Sequence, residues 1–454
     1  MPIRIFNTLS RNIEEFRPIV PKWVSMYQCG PTVYDTPHIG NYRTFVTDDI
    51  IRRVFEYSGY MVNQVMNITD VDDKTIERST REGMALDQLT QKYEKLFLEG
   101  LDDLHVLKVK KIVRATDSIN EMISFVSKLI ESGHAYKASD GVYMDISKVQ
   151  NYGVLARLDT SEHSKERISN DEYDKASPRD FALWKFKTPA DSSVFWKAPF
   201  GDGRPGWHIE CSAMAIQNLG ETIDIHTGGT DLIFPHHTNE IAQSESLTGK
   251  PFVNYWIHGG FITVNGEKMA KSVGNVIKLD TLREKMISPL AYRYWLLTAH
   301  YRSLLNFTDE AVIGAQRALI KLLESIGSIS EVGSVIVSYK EKFESYIFDD
   351  FDTPKAIALT WELLKDPAHS NADKKSTILD FDKVLGLDLA SFKPLAIEIP
   401  EEISALAEAR KLARDDKDWD KADALRKEIE SRGYEVSDTD AGASVRPIRS
   451  SILP

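Results

Sequence analysis

Cysteine is nearly absent from this chain, with two residues in 454, Cys29 and Cys211. That excludes a disulfide-stapled secreted scaffold, which needs several closely spaced pairs. Long apolar runs are missing too, and none approaches the roughly 18 residues that cross a bilayer. The opening stretch, Met1-Pro-Ile-Arg-Ile-Phe-Asn-Thr-Leu-Ser10, lacks the apolar core of a secretory signal. The expectation is a cytoplasmic protein with no membrane partner. Basic residues are the minority charge, 56 against 68 acidic, for a formal net charge of −12. This argues mildly against a nucleic-acid partner, although a local basic strip can hide inside a global average. No internal repeat or low-complexity tract occurs. What remains is ordinary globular composition, 42% hydrophobic and 27% charged, in a chain about three average domains long. Two scarce thiols in such a chain are either core fillers or site residues.

The first segment reads as strand, turn, helix, strand. Ser25 to Val33 is extended and contains Gly30-Pro31. Thr36-Pro37 offers an N-cap and a proline at the first helical position. Val46, Ile50 and Val54 recur at helical spacing, Ser58-Gly59 stops the helix, and Met61 to Ile68 is the next strand. This β-α-β unit is the building block of a nucleotide-binding parallel sheet. A second strand-to-helix crossing runs from Glu221 to His226, through Gly228-Gly229, into a helix opened by Pro235. Between them, a helix over 117–129 and a strand over 141–146 lie in an insertion. From Thr308 onward the pattern is helical, with Thr353-Pro354 starting one helix and Gly386 ending another. After a linker over 394–400, the segments 401–415 and 419–432 form a compact helical pair.

Three constellations carry chemistry. His38-Ile39-Gly40-Asn41 sits at a strand-to-helix turn, where backbone N–H groups and the helix dipole favour an anion such as a phosphate. Lys268-Met269-Ala270-Lys271-Ser272 follows the hairpin-type Asn265-Gly266, placing two ammonium groups on an exposed loop that can reach a triphosphate. Alone, the first reads more often as a structural histidine and the second as a solvated loop. The third is a metal set. His236 and Glu240 share a helical face at i and i+4, and with Cys29 and Cys211 make a plausible tetrahedral Zn²⁺ site. Buried cysteine is commonly just a small hydrophobe, and His208, His226 and His237 compete as ligands.

Together these blocks resemble the cysteinyl-tRNA synthetases, a class I aminoacyl-tRNA synthetase family. The resemblance is carried by Cys29-Gly-Pro-Thr-Val-Tyr-Asp35, the HIGN run from His38, Asn67-Ile-Thr-Asp-Val-Asp-Asp-Lys74 and Gly206-Trp-His-Ile-Glu-Cys-Ser-Ala-Met214. It continues through Phe234-Pro-His-His-Thr-Asn-Glu-Ile-Ala-Gln243, the KMAKS run from Lys268 and Asp349-Asp-Phe-Asp-Thr-Pro-Lys-Ala356, in order along essentially the whole chain.

The resemblance implies an α/β fold: a Rossmann-type parallel-sheet catalytic domain with an insertion, then an α-helical bundle and a small C-terminal anticodon-binding domain. Residues 1–116 and 206–260 would be the two halves of the catalytic domain, and 117–205 the inserted acceptor-binding domain. Residues 261–307 would carry the KMSKS-like stem-contact region, 308–395 the bundle and 396–454 the anticodon domain. It implies ATP-dependent ligation of L-cysteine to tRNA(Cys) through a cysteinyl-adenylate, by a monomer, with Mg-ATP as substrate and one Zn²⁺ per chain. His38, Gly40, Asn41, Lys268 and Lys271 would bind ATP, the reaction being carried by His38, Asn41, Lys268 and Lys271. Cys29, Cys211, His236 and Glu240 would hold zinc, to which the substrate thiolate binds directly. Thr69, Trp207, His226 and Asp231 would surround the amino acid, Asp231 taking its ammonium group. A thiolate on zinc makes sense chemically. Serine differs from cysteine by one atom, a difference that a hydrophobic pocket separates only about a hundredfold, whereas a soft metal distinguishes sulfur from oxygen outright. Two other readings share the activation site: a cysteine ligase acting on an amino-sugar acceptor, and a non-catalytic zinc-binding regulator. The run Lys421-Ala-Asp-Ala-Leu-Arg426 within a separate helical pair favours tRNA. Three positions depart from the family pattern: Asn41 for the last His of HIGH, Ala270 for the Ser of KMSKS, and Val445 where Trp is common.

Overall fold

The fold was analysed as a computed structural model, which describes residues 1–158, 180–191, 193–269, 274–391, 400–432, 434–439 and 442–447. Ala270, Lys271 and Gly433 therefore lie outside the described residues.

At the centre are five strands: β1 (Trp23–Gln28), β2 (Met61–Ile68), β3 (Lys111–Arg114), β4 (Ile223–Gly229) and β5 (Val253–Gly259). They form one sheet in the order β5-β4-β1-β2-β3, and every neighbouring pair is parallel. Helix α1 (Ile39–Tyr57) links β1 to β2, while α2 (Trp207–Leu219) precedes β4 and α3 (Thr238–Thr248) links β4 to β5. The chain grows outward from β1 in one direction through β2 and β3, and in the other through β4 and β5. The switch between β1 and β4 opens a crevice at their C-terminal ends, the usual ligand position in such sheets.

Alternate residues of β1 and β2 divide between two cores. Val24, Met26, Val62 and Met66 pack with α1 and the helices beyond residue 289, whereas Tyr27 and Val65 pack with α2 and the insertion. Along β4, Asp224 and His226 are as buried as Ile223 and Ile225. A parallel sheet covered on both faces demands this. The buried Asp224 is matched by Ile19 N–H at 2.7 Å, Ser25 N–H at 2.8 Å and the Ser25 hydroxyl at 2.7 Å.

Helix α1 begins two residues later than Thr36-Pro37 indicates. His38 is the N-cap: its Nδ1 accepts from Asn41 N–H at 3.1 Å, and Asn41 Oδ1 accepts from His38 N–H at 3.1 Å. The insertion carries an antiparallel four-stranded sheet of Ala135–Lys137, Gly141–Met144, Phe181–Phe186 and Gly203–Pro205. Asn265 and Gly266 both have positive φ, as the hairpin turn requires. They join Ile262–Val264 to Glu267–Lys268, and Ile262–Val264 also pairs with Leu305–Phe307.

The helical bundle contains Asp309–Gly327, capped by the Thr308 side chain, then Val337–Ile347, Thr353–Lys365 and Asn371–Leu385. A fully buried ion pair, Arg293 to Asp49 at 2.6 Å, ties α1 to this region, and Arg293 also donates to the Leu385 carbonyl at 2.9 Å. Burial alone would raise the Asp49 pKa, yet Arg293 and Arg53 hold it below the usual carboxylate value. The last described unit is a helix pair, Glu401–Asp415 and Trp419–Ser431, with a hairpin of Tyr434–Thr439 and Gly442–Pro447. Its core is small: Ile403, Ala407, Ile429 and Val436, with Val445 packed against them.

Candidate metal centre and adjoining cleft

Four chain segments meet in the crevice between β1 and β4. Cys29 follows the last residue of β1. The next residue, Gly30, must be glycine, because a Cβ there would lie 1.6 Å from the Asn67 carbonyl oxygen. Gly30 N–H also donates to Asn67 Oδ1 at 2.8 Å, locking the two strand ends together. Cys211 lies in the second turn of α2. His236 sits in the tight turn Ile233–His237 that feeds α3, and Glu240 in the first turn of α3 itself. All four side chains are buried.

Three of their spacings match the edges of a tetrahedral shell, and a fourth is longer. Zinc–ligand bonds of about 2.3 Å to sulfur and about 2.0–2.1 Å to nitrogen or oxygen give edges of about 3.8 Å (S···S), 3.5 Å (S···N) and 3.3 Å (N···O). The corresponding distances are 3.7 Å for Cys29 Sγ to Cys211 Sγ, 3.3 Å for Cys211 Sγ to His236 Nε2 and 3.1 Å for His236 Nε2 to Glu240 Oε1. Cys29 Sγ to Glu240 Oε1 is 4.0 Å. Behind the ring, His236 Nδ1 meets His208 Nδ1 at 2.9 Å, the outer contact that usually orients a metal-binding imidazole. Burial pushes both thiols and Glu240 upward, and His236 well down, from their ordinary pKa values. Each donor without a cation is thus driven to its neutral form, and a divalent ion would reverse this for the acids. The residues fit zinc.

A second donor set overlaps the first: Cys29, His226, His237 and Glu240 also bring one ligand atom each within 4.8 Å of one another. His237 Nε2 lies 3.4 Å from Cys29 Sγ, and His226 Nε2 lies 2.9 Å from Glu240 Oε2. The competition among histidines is therefore real in space as well as in sequence. Donor chemistry favours the first set, since it supplies two thiolates to a borderline-soft ion where the second supplies one.

The remaining expected residues differ in burial and contacts. Trp207 opens α2 with 40% of its surface exposed and stacks on the His236 ring at 4.3 Å and 28°. Thr69 is buried, donates its hydroxyl to Glu210 Oε2 at 2.9 Å and receives Asn67 Nδ2 at 3.3 Å. Glu210, which the sequence did not single out, is fully buried with its Oε1 unpartnered. Its neighbourhood to Thr69 crosses 141 residues and leaves no local signal. Asp231, in the short turn Thr230–Leu232, is exposed, and its Oδ1 lies where a side chain on Gly229 would otherwise reach.

The cap on α1 fixes the chemistry of His38. With Nδ1 accepting from Asn41 N–H, the neutral ring carries its proton on Nε2. The oxygen of Asn41 is used in the same cap. The segment beyond the KMAKS run closes on this turn: Ile39 N–H donates to the Ile277 carbonyl at 2.9 Å, and Lys278 Nζ lies 3.5 Å from Asp35 Oδ1. Lys268 is exposed at the end of the hairpin. Among the described residues, no helix is long and apolar enough to cross a membrane.

Known proteins resemble this chain in sequence and fold. The family described as tRNA synthetases class I (C) catalytic domain matches residues 15–317, and the family described as cysteinyl-tRNA ligase anticodon binding domain matches residues 397–446. A cysteine–tRNA ligase of Methanosarcina mazei is 42% identical, covering 98% of this chain and 99% of the relative. One from Burkholderia lata is 42% identical over 97% of this chain and 96% of its own length. One from Chlamydia muridarum is 41% identical over 99% and 100%. Among solved structures, a methionyl-tRNA synthetase of Mycobacterium tuberculosis in complex with methionyl-adenylate aligns with a TM-score of 0.54. It covers 80% of this chain and 90% of that one, at 15% identity, a likeness of fold alone.

Proposed function

Because the chain belongs to the cysteine–tRNA ligase family of class I synthetases, which charge tRNA with an amino acid at the expense of ATP, we propose the following assignment of its residues. Cys29, Cys211, His236 and Glu240 hold one zinc ion, and the substrate is L-cysteine selected against serine at that centre. The observation that carries this reading is the near-tetrahedral set of buried donors, two of them the only cysteines in the chain. When bound, zinc supplies a soft Lewis-acid position that a thiolate fills in preference to an alcohol.

The chain's own residues do the rest. Asp231 takes the substrate ammonium, Trp207 walls the pocket over the His236 ring, and Thr69 and His226 line it. Held there, the cysteine carboxylate oxygen attacks the α-phosphorus of ATP, and the bond to pyrophosphate breaks. His38 donates from Nε2 to the phosphates, while Lys268 and Lys271 neutralise the charge that grows on the leaving group. A ribose hydroxyl of the terminal adenosine of tRNA(Cys) then attacks the acyl carbon and AMP departs. The anticodon-domain match over residues 397–446 supports tRNA rather than an amino sugar as acceptor. The protein works in the cytoplasm as a monomer.

The test is ATP–pyrophosphate exchange with cysteine and with serine, beside transfer to tRNA. Exchange should depend on cysteine, with serine at least about a hundredfold poorer. Equal exchange with serine would remove the metal centre from selection. Truncation before residue 396 should spare exchange and abolish charging; loss of both together would contradict the domain roles.

A further inference from the structure

A line of hydrogen bonds reaches the metal centre from the N-terminal strand. Thr8 Oγ1 lies 2.8 Å from His258 Nδ1, His258 Nε2 lies 2.8 Å from His237 Nδ1, and His237 Nε2 lies 3.4 Å from Cys29 Sγ. Thr8, His258 and His237 are 3%, 4% and 0% exposed. None of them has a role in the reaction described above.

The line is held in place from several sides. Thr8 N–H donates to the Trp256 carbonyl at 2.8 Å, and Trp256 N–H donates to Asn7 Oδ1 at 3.1 Å, fixing the N-terminal segment to β5. The Trp256 ring lies against both imidazoles, stacked on His258 at 6.3 Å and 7° and tilted over His237 at 5.0 Å. Gly228 leaves room for the His237 ring, since a Cβ there would come 2.7 Å from His237 Cε1.

The direction of the protons follows by counting. A metal-bound thiolate is an acceptor only, so the ring nitrogen facing it must carry the hydrogen. A neutral imidazole has one N–H. If His237 spends it at Nε2, its Nδ1 is a bare acceptor and His258 must present N–H from Nε2. That leaves His258 Nδ1 bare, and the Thr8 hydroxyl turns to donate to it. The reverse direction would set a nitrogen lone pair against sulfur, or make His237 a ligand of the alternative donor set.

We propose that Thr8, acting through His258 and His237, holds an N–H against the Cys29 sulfur and so positions that thiolate at the metal centre. The inference rests on Cys29 being a metal ligand. It makes Thr8, two rings removed from the sulfur, a positioning residue for cysteine selection. It also gives His237 a role distinct from that of its neighbour His236: one ring donates to a sulfur where the other binds the ion.

Replacement of Thr8 by valine preserves shape and removes only the donor, and replacement by serine restores it. In the cobalt-substituted full chain, Thr8→Val should move the sulfur-to-cobalt charge-transfer band to longer wavelength. Thr8→Ser should leave it in place. Zinc should pass to a chelator up to about tenfold faster from the valine variant, the low end of what loss of an outer contact costs. Nitrogen-15 histidine spectra of the zinc-loaded protein should show Nε2–H tautomers for both His237 and His258. An Nδ1–H tautomer on His237, or a valine variant with an unshifted band, overturns the inference while the metal reading stands. Absence of a two-thiolate cobalt spectrum in the unsubstituted chain would overturn the metal reading and this inference with it.

Discussion

The four donors proposed for zinc are almost wholly out of solvent, Cys29 at 7%, Cys211 at 2%, His236 at 1% and Glu240 at 0% exposure. Of the residues proposed to meet the phosphates, Asn41 and Lys268 are exposed and His38 is half-buried. The first region is gathered from four segments spread over more than 200 residues and braced by outer contacts such as His208 behind His236. The second rests on one helix cap and one hairpin. The contrast matches the two tasks proposed for these regions. Telling sulfur from oxygen needs fixed donors in a dry pocket, whose geometry is set when the protein folds. Neutralising a triphosphate needs charge delivered to an exposed, strongly hydrated substrate, for which a capped helix start and an exposed lysine such as Lys268 suffice.

The difference can be broken by substitutions confined to one side. Cys211→Ser should have the largest effect: metal content falls, and cysteine-dependent exchange drops by at least about a hundredfold, since outer contacts alone cost 10–100-fold at such sites. Full metal content in that variant, by elemental analysis, would take Cys211 out of the ligand set. Lys271→Ala should lower the turnover of exchange by about 10²–10³-fold, the range for loss of a charge-stabilising group. Its metal content and KM for cysteine should stay unchanged. If both fell together, the two regions would not be separable as described.

Thr69→Val sharpens the comparison within the pocket. The hydroxyl bridges Asn67 and Glu210, and a hydrogen bond of about 1–1.5 kcal/mol corresponds to about a tenfold rise in KM for cysteine. The KM for ATP should not move. An unchanged KM for cysteine in steady-state exchange would place Thr69 outside the substrate contacts.

The smallest effect belongs to α1, which connects the regions. Asp48 is fully buried, its Oδ2 has no hydrogen-bond partner, and burial raises its pKa to about 7. An unfolded aspartate titrates near 3.9. The folded state therefore holds this proton more tightly, and its stabilising contribution is lost as pH rises from about 4 through about 7. Asp48→Asn removes the loss. Its melting temperature should gain on the parent steadily across that window, by roughly 2 °C per kcal/mol recovered, and then level off. A gain independent of pH would show that Asp48 does not titrate there.

Much of this was legible in the sequence where the determining contacts are local. The β-α-β order and the Asn265-Gly266 turn depend on neighbours within a few positions, and both formed, although the first strand runs Trp23–Gln28 rather than Ser25 to Val33. The convergence of Cys29, Cys211, His236 and Glu240 was legible because two scarce thiols and an i, i+4 pair narrow the choices. The start of α1 was not, because threonine before proline has the customary form of a helix start, while a histidine cap depends on a reciprocal bond with Asn41. The double-sided burial of β4 was hidden for a different reason: Asp224 is satisfied by Ser25 and Ile19, about 200 residues earlier. Glu210 beside Thr69, and the line from Thr8 to Cys29, are likewise fixed by chain crossings that no local pattern records.

The central claim is that cysteine is selected by its sulfur at a metal held by Cys29, Cys211, His236 and Glu240. Zinc K-edge absorption on the purified protein tests it most directly, by counting sulfur neighbours with and without cysteine. The account predicts two sulfurs alone and three with cysteine, with serine leaving the count at two. Two sulfurs under all three conditions would contradict it.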